Sequence, residues 1–256
     1  MSEGKIENAA VIPARFASTR LPGKPLLSDT GKPLIQHVVE AARRAKSLQR
    51  VIVATDDPRI ADAVRRFGGE VAMTRADHPT GTDRVAEVAA TIPEAGIIVN
   101  VQGDEPEIEG STIDLLITLL REDPDAPMAT LAAPIRSEAV YRDPSCVKVV
   151  AAGRRALYFS RAPIPHYRDA APDFSDPTAP AALLHLGLYA YRRDFLLSIG
   201  SLPRSPLESA EKLEQLRVLE AGFPIAIGLV DEPSIGVDTP EDYRRFVARW
   251  RARNSG

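Results

Sequence analysis

Short apolar runs and helix-spaced segments take turns through the first hundred residues, and this alternation restricts the possible folds more than any other feature of the chain. Ala9 to Ile12 is an apolar run stopped by Pro13. Leu34 to Ala45 then carries Leu34, Ile35, Val38, Val39 and Ala42 on one side, with Arg43, Arg44 and Lys46 toward its C-terminal end, the pattern of an amphipathic helix. Val51 to Ala54 reads as a buried strand, Asp56-Asp57-Pro58 as a helix start continued by Ile60 to Phe67, and Gly68-Gly69 as its stop. Glu70 to Thr74 is another short strand, a helix begins near Thr82, and Gly96 to Val101 is a further apolar strand. Strands with so little polar interleaving need cover on both faces, which predicts a mainly parallel sheet flanked by helices. Right-handed crossovers would gather the loops after Ile12, Thr55, Thr74 and Val101 at the carboxyl edge of that sheet, where open α/β sheets bind ligands.

The second half is richer in strands. Met128 to Pro134, Val147 to Ala151, Ala156 to Phe159 and Leu184 to Tyr191 are strand candidates, and His166 to Pro180, with three prolines and three aspartates, reads as a loop or mobile lid. Leu207 to Ala221 has helical spacing, Ile225 to Val230 is a strand, and Thr239-Pro240-Glu241-Asp242 opens a terminal helix with threonine as N-cap and proline at N1. The organisation expected is one α/β domain over 1–256 with a β-rich insertion, divided at about 1–127, about 128–238 and 239–256, without independently folding parts.

Composition narrows the functional classes. With 44% hydrophobic residues in 256, a sizeable core can form. A net charge of −3 from 32 basic and 35 acidic residues supplies no field for nucleic acid or an anionic membrane, so the cations are expected to act locally. Cys146 is the single cysteine, which excludes an intramolecular disulfide and a multi-cysteine zinc site; a small buried side chain is expected there. No apolar run reaches about eighteen residues and none follows a basic start, so neither a membrane span nor a signal peptide is indicated and a cytoplasmic protein is expected.

The loop after the first strand is built to meet an anion. Between Val11 and Pro25 it carries Arg15, Arg20 and Lys24, with no acid until Asp29. Ala14, Ala17, Ser18 and Gly23 let backbone N–H groups approach a ligand closely, while Pro13, Pro22 and Pro25 restrict the loop. Strand, cationic loop and helix in that order is a common way to hold phosphate.

Two aspartates could supply a metal. Asp104, in Val-Gln-Gly-Asp-Glu-Pro, falls just past an apolar strand, where a carboxylate can hold a divalent cation. Magnesium takes one or two protein carboxylates and fills its remaining positions with phosphate oxygens and water. Asp238, in Ile-Gly-Val-Asp-Thr-Pro, is the second candidate, although an aspartate before Thr-Pro also reads as an ordinary helix entry. Together these residues suggest a triphosphate held by Arg15, Arg20 and Lys24, with Mg2+ at Asp104 and Asp238. No Walker A sequence, Gly-x-Gly-x-x-Gly fingerprint or His-Glu-x-x-His occurs, which disfavours P-loop, dinucleotide and zincin chemistry.

Longer blocks carry a family resemblance. Val-Ile-Pro-Ala-Arg-Phe-Ala-Ser-Thr-Arg-Leu-Pro-Gly-Lys-Pro (11–25), Gly-Thr-Asp-Arg (81–84), Val-Asn-Val-Gln-Gly-Asp-Glu-Pro (99–106), Leu-Tyr-Phe-Ser-Arg-Ala (157–162), His-Leu-Gly-Leu-Tyr (185–189), Leu-Glu-Gln-Leu-Arg (213–217) and Gly-Val-Asp-Thr-Pro (236–240) closely resemble the 3-deoxy-manno-octulosonate (Kdo) cytidylyltransferases. The resemblance implies a nucleotide-diphospho-sugar transferase (Rossmann-like) fold whose first half binds nucleotide and whose β-rich insert binds sugar and forms a homodimer. It also implies Mg2+ dependence and the conversion of CTP and Kdo into CMP-Kdo and pyrophosphate, for lipopolysaccharide synthesis.

Carried over to matching positions, the family places cytosine near Ala14, Arg75, Thr80 and Gln102, with Ser18 in the phosphate loop and Gln102 as the amide that reads the base. For the sugar acid it suggests Arg161, His185, Tyr189, Glu208, Glu211 and Gln215. Competing structural readings remain for several of these. His185 and Tyr189 could be hydrogen-bonded core positions, Glu208, Glu211 and Gln215 a solvated stripe on one helical face, and Arg161 the partner of an acid. Transfer to a related 2-keto sugar acid, such as amino-Kdo or sialic acid, is the nearest alternative activity. A silent nucleotide-sugar sensor and a metal-dependent glycosyltransferase are more distant ones.

Overall fold

The computed structural model describes residues 7–17, 20–169, 173–176 and 182–254. The chain packs as two compact units, one made of the residues up to Asp114 with those from Ser234 onward, the other of Leu115–Pro233. These limits differ from the sequence divisions near 127 and 238, and the C-terminal helix belongs to the first unit.

In the first unit β1 (Glu7–Ala14), β2 (Arg50–Thr55), β3 (Glu70–Met73) and β4 (Ala95–Asn100) alternate with α1 (Leu34–Ala42), α2 (Pro58–Arg66) and α3 (Gly81–Ala90). β1 pairs in parallel with both β2 and β4, and β2 with β3. Ala10, Val11 and Ile12 are fully buried, as the unbroken apolar run requires. Pro13 does not stop the strand, which continues to Ala14 in register with β2. The reason is directional. Pairing with β4 ends at Val11 and Asn100, and the Val11 carbonyl accepts from Val101 N–H at 3.1 Å, so residues of that parity address β4. Pro13 has the same parity but lies beyond the last β4 partner, where no ladder bond needs its missing N–H.

Local chemistry sets the helix ends. Asp57 caps α2 by accepting from Arg59 N–H at 2.9 Å, and Thr80 and Asp83 form a capping box at α3. α1 ends at Ala42 rather than Ala45, because Arg44 and Ala45 donate to Ala41 and Ala42 in tight i→i−3 turns. Gly110 sits so close to this turn that a Cβ would fall 2.5 Å from the Arg44 carbonyl carbon. One element had no counterpart in the sequence reading, α4 (Gly110–Glu122), although its buried Ile113, Leu116, Ile117 and Leu120 have helical spacing.

The second unit holds β5 (Met128–Pro134), β6 (Lys148–Ala152), β7 (Arg155–Ser160), β8 (Leu183–Arg192) and β9 (Ile225–Leu229), with short helices α5 (Glu138–Arg142) and α6 (Arg193–Ile199). β5 with β9 is parallel, whereas β5 with β8, β6 with β7, β6 with β8 and β7 with β9 are antiparallel. The parallel pattern read from the sequence therefore describes the first unit and not this one. Here the pairings run β8-β5-β9-β7-β6 and return to β8, a circuit that leaves few free edges.

The helix expected over 207–221 is two helices, α7 (Pro206–Glu211) and α8 (Gln215–Glu220). Lys212 breaks them with φ of 55°, its N–H bonded to the Glu208 carbonyl. α9 (Pro240–Asn254) closes the chain, capped by Thr239 as its sequence suggests. Of the stretch 166–180, residues 170–172 and 177–180 lie outside the described residues, while the rings of Tyr167 and Phe174 lie 5.9 and 5.1 Å from that of Tyr141. Cys146 is a free thiol and only half-buried, not the core side chain expected. Among the described residues no helix is long and apolar enough to cross a membrane.

Candidate active site

The cationic loop leaves β1 after the buried Ala14 and folds back on itself. Arg15 is exposed and its Nη2 donates to the carbonyls of His78 at 2.8 Å and Thr80 at 3.3 Å. Gly23, with φ of 67°, donates its N–H to the Phe16 carbonyl at 3.2 Å, and its α-carbon lies against the Phe16 ring. The Arg59 guanidinium sits 3.4 Å from the centre of that ring and is gripped at two points by Asp57. Leu21 anchors the loop in a core cluster with Leu34, Val237, Tyr243, Phe246 and Val247, so the loop shares its core with the segment that bears Asp238.

Four charged side chains meet beside that core. Lys24 Nζ donates to Asp104 Oδ2 at 2.7 Å and to Asp238 Oδ1 at 3.3 Å, and Arg20 Nη2 donates to Asp238 Oδ1 at 3.1 Å. Two features bring the aspartates together. Val237 N–H donates to the Asp104 carbonyl at 2.8 Å, and Gly103 lets the strand-end turn close on β1, where a Cβ would fall 2.7 Å from the Pro13 oxygen. The helix-entry role open to Asp238 is taken by its neighbours. Thr239 Oγ1 accepts from Asp242 N–H, and Asp242 accepts from the N–H groups of Asp238 and Thr239. The Asp238 carboxylate is left for the cations.

Oxygen donors converging on one cation are what a hard dication requires, and two carboxylates suffice where phosphate oxygens and water complete the shell. No larger cluster of His, Cys, Asp and Glu occurs among the described residues.

Glu105 was not a sequence candidate. It is buried and accepts from Ser234 Oγ at 2.6 Å; burial first, and then the charge of Asp104, push its carboxyl up to about 7, against the opposing Ser234 bond. Arg84 was also missed. Its fully buried guanidinium lies 2.8 Å from Asp56 and donates to Thr74 at 2.6 Å, joining the ends of β2 and β3. An arginine on a helix reads as solvated, and only the fold shows otherwise.

The other nucleotide candidates are placed as follows. Thr80 spends its hydroxyl in the α3 capping box, while its carbonyl helps hold Arg15. Arg75 is exposed and bound at two points to Asp77, at 2.9 and 2.8 Å, with its N–H on Glu87. Gln102 is half-buried and its carbonyl accepts from Glu105 N–H at 3.3 Å. Ser18 lies outside the described residues.

The sugar candidates all fall in the second unit. His185 and Tyr189 on β8 are buried with ring centres 5.4 Å apart. His185 Nε2 lies 2.9 Å from Thr130 Oγ1, whose own hydrogen goes to the Leu188 carbonyl at 2.7 Å. That network assigns the ring proton to Nε2 and leaves Nδ1 as an acceptor. Desolvation drops the imidazole to about 3, and burial with the Glu214 charge raises the Tyr189 phenol, so both stay neutral near pH 7.

Tyr189 and Gln215 share a recess of about 200 Å³ with Met128, Tyr191, Ile199 and Glu214, of which the last four were not sequence candidates. Glu211 accepts from Ser160 Oγ at 2.5 Å and from Arg161 N–H at 2.8 Å, while Arg161 Nε donates to the Glu211 carbonyl at 2.8 Å. Glu208 instead clamps Arg217 at 2.7 and 2.5 Å. Because α7 and α8 are separate, Glu208, Glu211 and Gln215 do not form one helical stripe. Lys148, fully buried, donates to the carbonyls of Asp143, Cys146 and Arg161 at 2.6–2.8 Å and so fixes the Arg161 backbone.

Residues 9–227 match the cytidylyltransferase family model. The chain belongs to the cytidylyltransferase family. Within it, the chain is 56% identical over 245 residues to the 3-deoxy-manno-octulosonate cytidylyltransferase of Syntrophotalea carbinolica, covering 94% of this chain and 98% of that one. It is 52% identical over 247 residues to the enzyme of the same name from Geobacter sulfurreducens, covering 94% and 98%. Among solved structures it superposes with a TM-score of 0.89, at 48% identity and covering 96% and 99%, on CMP:2-keto-3-deoxy-manno-octonic acid synthetase complexed with CTP. A cytidylyltransferase from Leptospira borgpetersenii, 17% identical over 98% and 96% of the chains with a TM-score of 0.61, shares the α/β fold.

Proposed function

We propose that this chain transfers the cytidylyl group of CTP to the anomeric hydroxyl of Kdo, releasing pyrophosphate and activating the sugar for lipopolysaccharide synthesis. The observation that carries the reading is the interleaving of Arg20 and Lys24 with Asp104 and Asp238 in a chain 48% identical to a synthetase solved with CTP. The sugar hydroxyl attacks the α-phosphorus in line and pyrophosphate leaves, so negative charge grows on phosphoryl oxygens and the leaving group. Fixed positive charge is the stabiliser such a transition state needs.

Arg15, Arg20 and Lys24 neutralise the triphosphate. Asp104 and Asp238 hold Mg2+, which when bound supplies positive charge at the α-phosphate and lowers the barrier to attack. Gln102 reads the amide edge of cytosine, with Ala14, Ser18, Arg75 and Thr80 around the nucleotide. In the second unit Arg161, His185, Tyr189, Glu208, Glu211 and Gln215 serve the sugar acid, either by contact or by holding those that touch it. A neutral His185 acceptor and a neutral Tyr189 phenol suit hydroxyls better than charged groups would. The protein acts in the cytoplasm as a homodimer assembled through its β-rich unit.

Pyrophosphate release with CTP and Mg2+ tests this directly, with Kdo compared against amino-Kdo and sialic acid. Preference for Kdo supports the assignment. Preference for another 2-keto sugar acid moves it to the related transferases, and no release with any of them overturns it.

A further inference from the structure

The segment carrying Asp238 has little to hold it. Residues 231–236 form no helix or strand, Ile235 is 52% exposed, and a Cβ added to Gly236 would meet nothing within 4 Å. Yet Asp238 must meet Asp104 at one cation despite the repulsion between two carboxylates. The Val237 N–H bond to the Asp104 carbonyl supplies one anchor, backed by Val237 in the core. A single anchor leaves a pivot. The second fixed point is Ser234, whose Oγ donates at 2.6 Å to Glu105, the residue next to Asp104. The same strand-end turn therefore grips the segment twice, through the Asp104 backbone and the Glu105 side chain. A buried carboxyl that gives up water for this bond is an expensive way to hold an otherwise exposed loop unless the loop's position matters.

We propose that Glu105 and Ser234 are positioning residues that set the approach of Asp238 to Asp104, and hence the affinity of the site for its dication. The inference rests on the metal reading above. Ser234→Ala removes the tie without disturbing the core anchor at Val237, and Ser234→Thr keeps the hydroxyl. The probe is Mn2+, counted free by electron paramagnetic resonance with the full-length protein and CMP, alongside the Mg2+ dependence of the rate. Losing a bond of this kind is worth about a tenfold factor.

Ser234→Ala is expected to weaken Mn2+ about tenfold and to raise the half-maximal Mg2+ concentration equally, with the KM for the sugar acid within about twofold and Ser234→Thr close to the parent. A folded Ser234→Ala protein that binds Mn2+ like the parent overturns the proposal, as does a loss that Ser234→Thr fails to restore. Asp104→Asn separates the two claims. If it abolishes Mn2+ binding while Ser234→Ala does not weaken it, the positioning role alone fails; if it binds Mn2+ normally, the metal reading fails.

Discussion

The two units handle polar side chains in opposite ways. In the first, Arg20, Lys24, Asp104 and Asp238 remain charged and partly exposed, and neutralise one another across loops. In the second, His185 and Tyr189 are driven neutral by burial, and Glu211 is consumed by Ser160 and Arg161. The contrast follows the ligands proposed for each. A triphosphate and a dication bring charge that can replace the internal ion pairs. A polyhydroxylated sugar is recognised by directional neutral groups held rigidly in a dry environment.

Breaking the charged cluster should have the largest effect. Asp104→Asn is expected to lower kcat at least about a hundredfold, the scale of losing one preorganised electrostatic stabiliser. Near-normal turnover by the folded variant would remove Asp104 from the metal site.

The neutral set should show itself through pH. His185 in the folded protein sits near 3, below its ordinary 6.5, so between those values the unfolded chain binds the extra proton and stability rises with pH. That stability is full above about 6.5 and is lost as pH falls; the loss between pH 7 and 5 is about 2 kcal/mol. His185→Gln should flatten this limb in denaturant titrations at the two pH values, and an unchanged limb would assign it to other groups.

Smaller effects should sort by unit. Gln215→Ala is expected to raise the KM for Kdo about tenfold, as one lost hydrogen bond would, with the KM for CTP little changed. A shift confined to CTP would contradict the division of labour. Gln102→Ala should do the reverse, weakening CTP a few-fold more than Kdo; equal CTP binding would take the amide out of base reading.

Legibility in the sequence also differed between the units. Wherever the backbone pattern is local, the residues announced it: the β5 limits match the run Met128 to Pro134, and the α9 cap is the Thr-Pro-Glu-Asp signal itself. The candidate cations and aspartates were visible because charge collects in loops at strand ends. The break at Lys212 was not, since a lysine in left-handed geometry carries no mark in composition, and the apparent stripe of Glu208, Glu211 and Gln215 dissolved with it. Pro13 misled in the other direction, because whether a proline ends a strand depends on which neighbour its nitrogen faces.

By itself, then, the sequence determined the alternating α/β plan of the first unit, the strands of the second and the family, because hydrophobic period, capping residues and long ordered blocks are properties of neighbours along the chain. Only the tertiary structure decided that Glu105, Arg84 and Lys148 are buried, that Ser234 reaches Glu105, and that Lys24 stands between two aspartates. Burial and ion pairing depend on which distant segments pack together, and no local pattern records that.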